Sequence, residues 1–294
     1  MEEALDVRPV EDAAAKPEIR KLTGKIGATV GDVDLTQPLP DDTFETLHAA
    51  LLEHQVLFFR DQDLTDDQHR ALAARFGTLS IYPAQRLAGD TSEVSYIADN
   101  ADSPPKADDW HTDISWLPEP PKYAFLNART IPEHGGDTMW ASLYAAYDAL
   151  SPAMQELCGK LTAIHAPSPK QLAAFRDSGK FGPDIAERIE QIFQPVEHPL
   201  VRTHPISGRR ALYLSTGFLQ RIVGVTDSES EMLKTHLNAL LDDPNVQVRW
   251  KWRPFDFAIW DEASTNHRAL SDHYPQERLV RRCTVDGSRP FYRP

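Results

Sequence analysis

The chain is poor in cysteine. Only Cys158 and Cys283 occur in 294 residues, too few and too far apart for a zinc–thiolate centre or a disulfide framework, so any metal must be held by His, Asp or Glu. Positive charge is also short: 31 Lys and Arg stand against 44 Asp and Glu, a formal net charge of -13, which opposes binding to nucleic acid or to an anionic membrane. There is no run of eighteen apolar residues, and the start, Met1-Glu2-Glu3-Ala4-Leu5-Asp6, has neither the basic nor the apolar region of an export signal, so a soluble, cytoplasmic protein is expected. No paired-carboxylate motif for acid–base chemistry is evident. What is present is 41% hydrophobic residues, enough for a sizeable core, and the partner is expected to be a small molecule drawn to local basic residues.

Residues 1–21 are charged and lack apolar periodicity, and are expected to form a loose lead-in before a single domain spanning 22–294. Asp41-Asp42 leads into Phe44, Leu47 and Leu51 at helical spacing, and Thr65 with Gln68 forms a capping box before Leu72 and Phe76. Between them Val56-Leu57-Phe58-Phe59 reads as a buried strand. About 142–193 is expected to be a mainly helical insertion or lid, broken by Pro167, Pro169 and Pro183. A hairpin is expected over Val201-Arg202-Thr203 and Ala211 to Leu214, then a helix from Asp227 to Leu241. Val246, Val248, Trp250 and Trp252 alternate with polar residues as a half-buried strand does, and both tryptophans are read as core. Phe257 to Trp260 and Arg278 to Val285 complete the strands, favouring a β-sandwich or jelly roll decorated by helices over a βαβ sheet.

His111 and Asp113, in Trp110-His111-Thr112-Asp113-Ile114-Ser115-Trp116, share one side of an extended chain, and Trp116 close after them is expected in the pocket. Alone the pair is weak evidence, since about one or two His-x-Asp/Glu would arise by chance in such a composition. The carboxy-terminal part adds Asn266-His267-Arg268 and then Arg278. Two histidines and a carboxylate on one face of iron leave three positions open, enough for a bidentate 2-oxo acid and dioxygen, and Arg278 suits a carboxylate clamp better than Lys would. Arg282 shares its strand face, with Cα atoms roughly 13 Å apart, and could reach a second anion. Arg281 and Arg210 are expected to be solvated. His165, His198 and His204 are read as turn residues, and Asp261 as a structural hydrogen-bonder.

These residues, with Phe58-Phe59-Arg60-Asp61-Gln62, Gly135-Gly136-Asp137-Thr138, Val201-Arg202-Thr203-His204-Pro205, Trp260-Asp261 and Pro290-Phe291-Tyr292, resemble the taurine dioxygenase (TauD/TfdA) family of Fe(II)/2-oxoglutarate-dependent dioxygenases. The resemblance implies a mainly β fold with helices, its core a double-stranded β-helix (a cupin-like jelly roll). It implies His111, Asp113 and His267 as catalytic iron ligands, Thr138 and Arg278 as 2-oxoglutarate residues, O2 as co-substrate, and a homo-oligomer, dimer or tetramer. Arg282 is expected at the substrate's sulfonate or carboxylate, with Ile114, Trp116 and Phe218 in the pocket. Where the family's taurine pocket has His, Tyr and Asn, this chain has Tyr82, Gln85 and Ala107, which removes polar groups that would read an amino-sulfonate. The expected reaction hydroxylates a small anionic substrate, a sulfonate such as taurine or a relative, releasing succinate and CO2. An alkyl sulfate or an aryloxyalkanoate is the alternative substrate. Rival classes are a zinc-type hydrolase or isomerase and a non-catalytic metal-binding protein.

Overall fold

The computed structural model describes residues 16–87, 89–105, 108–169, 172–173, 187–188 and 193–294. Its largest element is a seven-stranded sheet in the order β1-β2-β3-β13-β5-β15-β4, formed by β1 (Glu18–Lys21), β2 (Ala28–Gly31), β3 (Val56–Phe59), β4 (Ser95–Asp99), β5 (Tyr123–Thr130), β13 (Phe257–Asp261) and β15 (Arg278–Val285). All neighbours are antiparallel except β2 and β3.

The apolar run Val56-Leu57-Phe58-Phe59 is continuous because both faces of its strand are covered. Leu57 and Phe59, with Phe125, Phe257 and Ile259, pack under helices α1 (Asp41–His54) and α2 (Asp66–Ala74). Val56 and Phe58, with Leu126, Ala258 and Trp260, face the other way, onto Trp140, Val248 and Trp250. Those three belong to a smaller sheet, β12-β6-β14, made of β6 (Thr138–Ser142), β12 (Gln247–Trp250) and β14 (Thr265–Ala269). Phe58 stacks on Trp250 at 4.3 Å, so the alternation expected of the tryptophan strand does place its apolar face in the core. The Thr65–Gln68 capping box is formed as expected.

A third cluster joins α4 (Leu143–Asp148), α5 (Pro152–Gly159) and α6 (Asp227–Ala239) to the sheet β11-β7-β8 and the hairpin β9-β10. Its strands are β7 (Thr162–His165), β8 (Val196–Pro199), β9 (Val201–Thr203), β10 (Arg210–Leu212) and β11 (Leu219–Val223). The short helix α3 (Pro83–Leu87) lies between α2 and β4 in the chain.

Three expectations need correction. Residues 18–21, expected in the loose lead-in, form β1, because pairing with β2 supplies backbone partners that local composition does not reveal; residues 1–15 lie outside the described residues. The 142–193 segment is not helical throughout: Thr162–His165 is a strand paired on both sides, to β8 and β11. Residues 170–171, 174–186 and 189–192 of that segment lie outside the described residues. Arg281 is not solvated. It is 5% exposed and bonds Asp66, Asn127 Oδ1 and the Leu64 carbonyl, since the outer face of β15 is covered by α2 and its leading loop. Among the described residues no helix is long and apolar enough to cross a membrane.

Candidate metal centre and its cavity

Strand pairing fixes two of the three expected ligands. His267 sits mid-β14, opposite Trp140 of β6, and the chain at His111 pairs back onto it through His111 N–H to His267 O at 3.0 Å and His267 N–H to His111 O at 2.8 Å. The two imidazole centroids are consequently 4.1 Å apart. Asp113 arrives differently, on a turn in which Ile114 has φ +41°, a costly conformation for a β-branched residue.

Among the described residues His111, Asp113 and His267 bring one donor atom each within 4.8 Å of one another. Both histidine Nε2 atoms lie 3.8 Å from Asp113 Oδ1. Donors about 2.1 Å from a common ion at right angles would be about 3.0 Å apart, so each histidine needs a closure of under about 1 Å toward the Asp113 oxygen. His111 Nδ1 bonds the Asp109 carbonyl at 2.7 Å; the proton on Nδ1 leaves the Nε2 lone pair free, the arrangement metal-bound histidines use. Burial, and then the charge of His111, push the His267 pKa well below its ordinary value, favouring the neutral ring that ligates. Burial works against an ionised Asp113, but Arg282, His267 and His111 together hold its carboxyl below the usual range. A neutral His267 and an ionised Asp113 are the forms that ligate a metal.

Beside the triad is a cavity of ≈ 270 Å³ walled by His111, His267, Thr138, Arg278 and Arg282. At one end the buried Arg278 guanidinium donates through Nε to Gly136 O at 3.0 Å and through Nη2 to Thr138 Oγ1 at 3.5 Å, with Asp99 Oδ2 3.6 Å from Nη1. Gly135 and Gly136 both have positive φ, +74° and +69°, and a Cβ on Gly135 would stand 2.8 Å from His273 N. Only glycine lets this turn close on the 272–273 backbone and present its carbonyl to Arg278. At the other end Arg282 Nη1 donates to Asp113 Oδ2 at 2.8 Å.

The sequence model of the taurine catabolism dioxygenase TauD, TfdA family matches residues 18–284. The chain belongs to this TauD/TfdA family. It is accordingly an oxidoreductase that uses Fe(II), 2-oxoglutarate and O2. An alkylsulfatase of Acinetobacter baylyi is 34% identical over 95% of this chain and 87% of its own length, and an alpha-ketoglutarate-dependent sulfate ester dioxygenase of Pseudomonas putida is 36% identical over 94% and 92%. The crystal structure of a taurine dioxygenase from Burkholderia xenovorans superposes with a TM-score of 0.78 at 34% identity, covering 94% of this chain and 93% of that one.

In this TauD/TfdA enzyme the other expected pocket residues divide. Tyr82, Ile114 and Phe218 meet in one apolar cluster with Trp116, Leu117 and Phe193. Trp116 is 1% exposed and packs edge-on to Phe193 at 4.3 Å; like Tyr82, Ile114 and Phe218 it is not among the residues lining the metal cavity, and three residues past Asp113 it would fall on the opposite side of an extended chain. Gln85 is spent on Asp90 and on Ser95, the register partner of Arg282. Ala107 lies outside the described residues. Burial pushes the Tyr82 hydroxyl well above its usual pKa, with Arg282 opposing and Asp113 reinforcing. Asp261 is structural as expected, accepting from Ala263 N and Ser264 Oγ and facing His204 Nε2 at 2.9 Å.

The sequence pattern did not mark Glu262 of this TauD/TfdA enzyme. Fully buried, it accepts from Asp113 N at 2.9 Å and from Trp260 Nε1 at 2.7 Å. Burial, and then the Asp113 charge, raise its pKa well above the ordinary value. Asp99, which faces Arg278, was also missed. Both sit at strand ends, where no local periodicity distinguishes them.

Proposed function

We propose that the chain hydroxylates a small alkyl sulfate ester at the carbon bearing the ester oxygen. The product collapses to an aldehyde and inorganic sulfate, with 2-oxoglutarate converted to succinate and CO2. Atoms balance: one oxygen of O2 enters the substrate carbon, the other enters succinate, and the C–O bond to sulfate breaks with release of a proton. In this reading His111, Asp113 and His267 hold Fe(II), which with 2-oxoglutarate and O2 supplies the oxidant for an unactivated C–H bond. Arg278 and Thr138 hold the distal carboxylate of 2-oxoglutarate, and the planar guanidinium fixes its orientation. Arg282 meets the sulfate oxygens. Zinc-type hydrolysis has no use for a second buried cation beyond the triad, whereas a 2-oxo diacid requires one.

The observation that carries this reading is a single cavity with both histidines of the triad, a Thr-backed arginine and a second arginine on its walls, the second arginine being bonded to Asp113. The ester is favoured over an amino-sulfonate by the apolar cluster of Tyr82, Ile114, Leu117 and Phe218 near Asp113 and Arg282, which offers an alkyl chain burial and offers an ammonium group little. The names of the Acinetobacter and Pseudomonas relatives support the same choice. We also read the seven-stranded sheet and the β12-β6-β14 sheet as the two walls of a double-stranded β-helix in one catalytic domain beginning at β1.

Succinate and sulfate release should be measured over a series of n-alkyl sulfates with taurine and a phenoxyacetate alongside. The expected result is stoichiometric sulfate and succinate, with kcat/KM rising up to about fourfold per added methylene, the equivalent of ~0.8 kcal/mol for each buried CH2. Taurine turnover exceeding that of every alkyl sulfate would overturn the ester assignment. Absence of an anaerobic Fe(II)·2-oxoglutarate charge-transfer band would overturn the dioxygenase reading of the site.

A further inference from the structure

The turn that delivers Asp113 is held from behind by two histidines that touch neither the triad nor the cavity. His165 Nδ1 lies 3.0 Å from Ser115 Oγ, and His198 Nε2 lies 3.0 Å from the Leu117 carbonyl. They stand on adjacent antiparallel strands, with His165 of β7 opposite Val196 of β8. His198, two residues further on, shares the face of Val196, and the imidazole centroids are 5.4 Å apart at 73°. Both are almost fully buried. His165 also stacks on Tyr213 at 4.9 Å and 22°, and the Arg202 guanidinium lies 4.8 Å over the same ring. The sequence reading placed both histidines in turns, and the strands correct that.

Burial chiefly, with His198 and Arg202 adding to it at His165 and with Arg202 adding to it at His198 against the opposing bond to Leu117, takes their pKa values down to about 3 and about 4, so both rings are neutral at neutral pH. A neutral ring that meets a carbonyl through Nε2 must carry its proton there. His198 is therefore a fixed donor to Leu117 O, two residues past Ser115. The turn from Asp113 to Leu117 needs such anchors, because Ile114 is held at positive φ, a conformation costing on the order of 1–3 kcal/mol that persists only where the surroundings over-determine it. The same strand carries the substrate wall: Ala166, next after His165, donates its N–H to Phe218 O at 2.9 Å.

We propose that His165, with His198, is a positioning residue for Asp113. It pins Ser115 so that the strained turn keeps the carboxylate aimed at the ion, and it ties that turn to the strand end that supports Phe218. The proposal rests on Asp113 being an iron ligand.

The test is an anaerobic Fe(II) titration at saturating 2-oxoglutarate, read by charge-transfer absorption, on wild type, His165→Phe, Ser115→Ala, the double variant and His165→Asn, with thermal melts of each. Phe keeps the ring against Tyr213 and deletes Nδ1; Asn returns a polar atom at nearly the same position. We expect Fe(II) affinity to fall about tenfold in His165→Phe, the lower range for losing a supporting partner at a metal site. Ser115→Ala should fall equally, the double variant no further, and Asn should recover most of the loss. A folded His165→Phe with wild-type Fe(II) affinity, or a loss confined to Tm, would overturn the proposal. Should His165→Phe fail to fold, Ser115→Ala, which removes one oxygen, decides alone. A missing band in wild type would sink the dioxygenase reading instead, so the two failures are distinguishable.

Discussion

Two halves of the site are built in different ways. Thr138, His267, Arg278 and Arg282 stand on β6, β14 and β15, within sheets whose registers are fixed by strand pairing, with one irregularity between β15 and β5 at Leu279 and Val280. Asp113, Ile114, Tyr82 and Phe218 stand on turns and loops, anchored by side-chain bonds and apolar contact. In the proposed function the strand half, Arg282 excepted, meets groups that never change, the metal and 2-oxoglutarate, while the loop half, Asp113 excepted, meets the substrate. Placing most of the invariant chemistry on rigid strands and most of the variable recognition on loops lets substrate range change through the loops with little disturbance to the cofactor.

Substitutions can break this division, beginning with the largest effect. His267→Ala removes a strand-borne ligand, and succinate release at any substrate should fall by well over the ~10–100-fold that an outer partner is worth; near-wild-type turnover would place the metal elsewhere. Arg278→Ala leaves a buried carboxylate without its cation, costing ~2–5 kcal/mol. The KM for 2-oxoglutarate should therefore rise by about 30-fold or more, with alkyl sulfate KM changed little. Arg282→Met should do the reverse at saturating Fe(II), raising the alkyl sulfate KM about tenfold or more and sparing 2-oxoglutarate. If both variants moved both constants equally, the two arginines would not serve separate ends.

The smallest effect concerns the scaffold. His69 on α2 packs edge-on to Phe257 of β13 at 5.1 Å, and burial first, then Arg281, lower its pKa to about 3 while Asp66 opposes. The unfolded chain takes up this proton near pH 6.5 and the folded chain does not until about pH 3. Stability is thus highest above pH 6.5 and declines as pH falls through that window. His69→Phe should flatten the dependence of Tm on pH between 6.5 and 4; an unchanged slope would show that this ring does not contribute.

The features that were legible, in both halves and in the scaffold, have signals that are local or strongly patterned. β15 was bounded at Arg278 and Val285 by its composition, α1 and the Thr65 cap by spacing, and the His111–Asp113 pair by its two-residue interval. The loop half was harder to read, for physical reasons. Nothing local announces the positive φ at Ile114. Arg281 was misjudged because burial of the outer face of β15 depends on a helix more than two hundred residues earlier. Glu262, His165 and His198 acquire meaning only when distant strands carry them behind Asp113, and β7 was hidden among helical neighbours because its pairing partners come later in the chain.

The bond between Arg282 and Asp113 has a practical consequence for redesign. One guanidinium neutralises the carboxylate of the triad and, in the proposed function, is also the cation offered to the substrate's anion. A variant library that replaces Arg282 to accept neutral or cationic molecules will strand a buried negative charge beside the ion and alter metal retention along with selectivity. Substrate engineering at this position is metal engineering as well, and variants should be screened with iron occupancy measured alongside turnover.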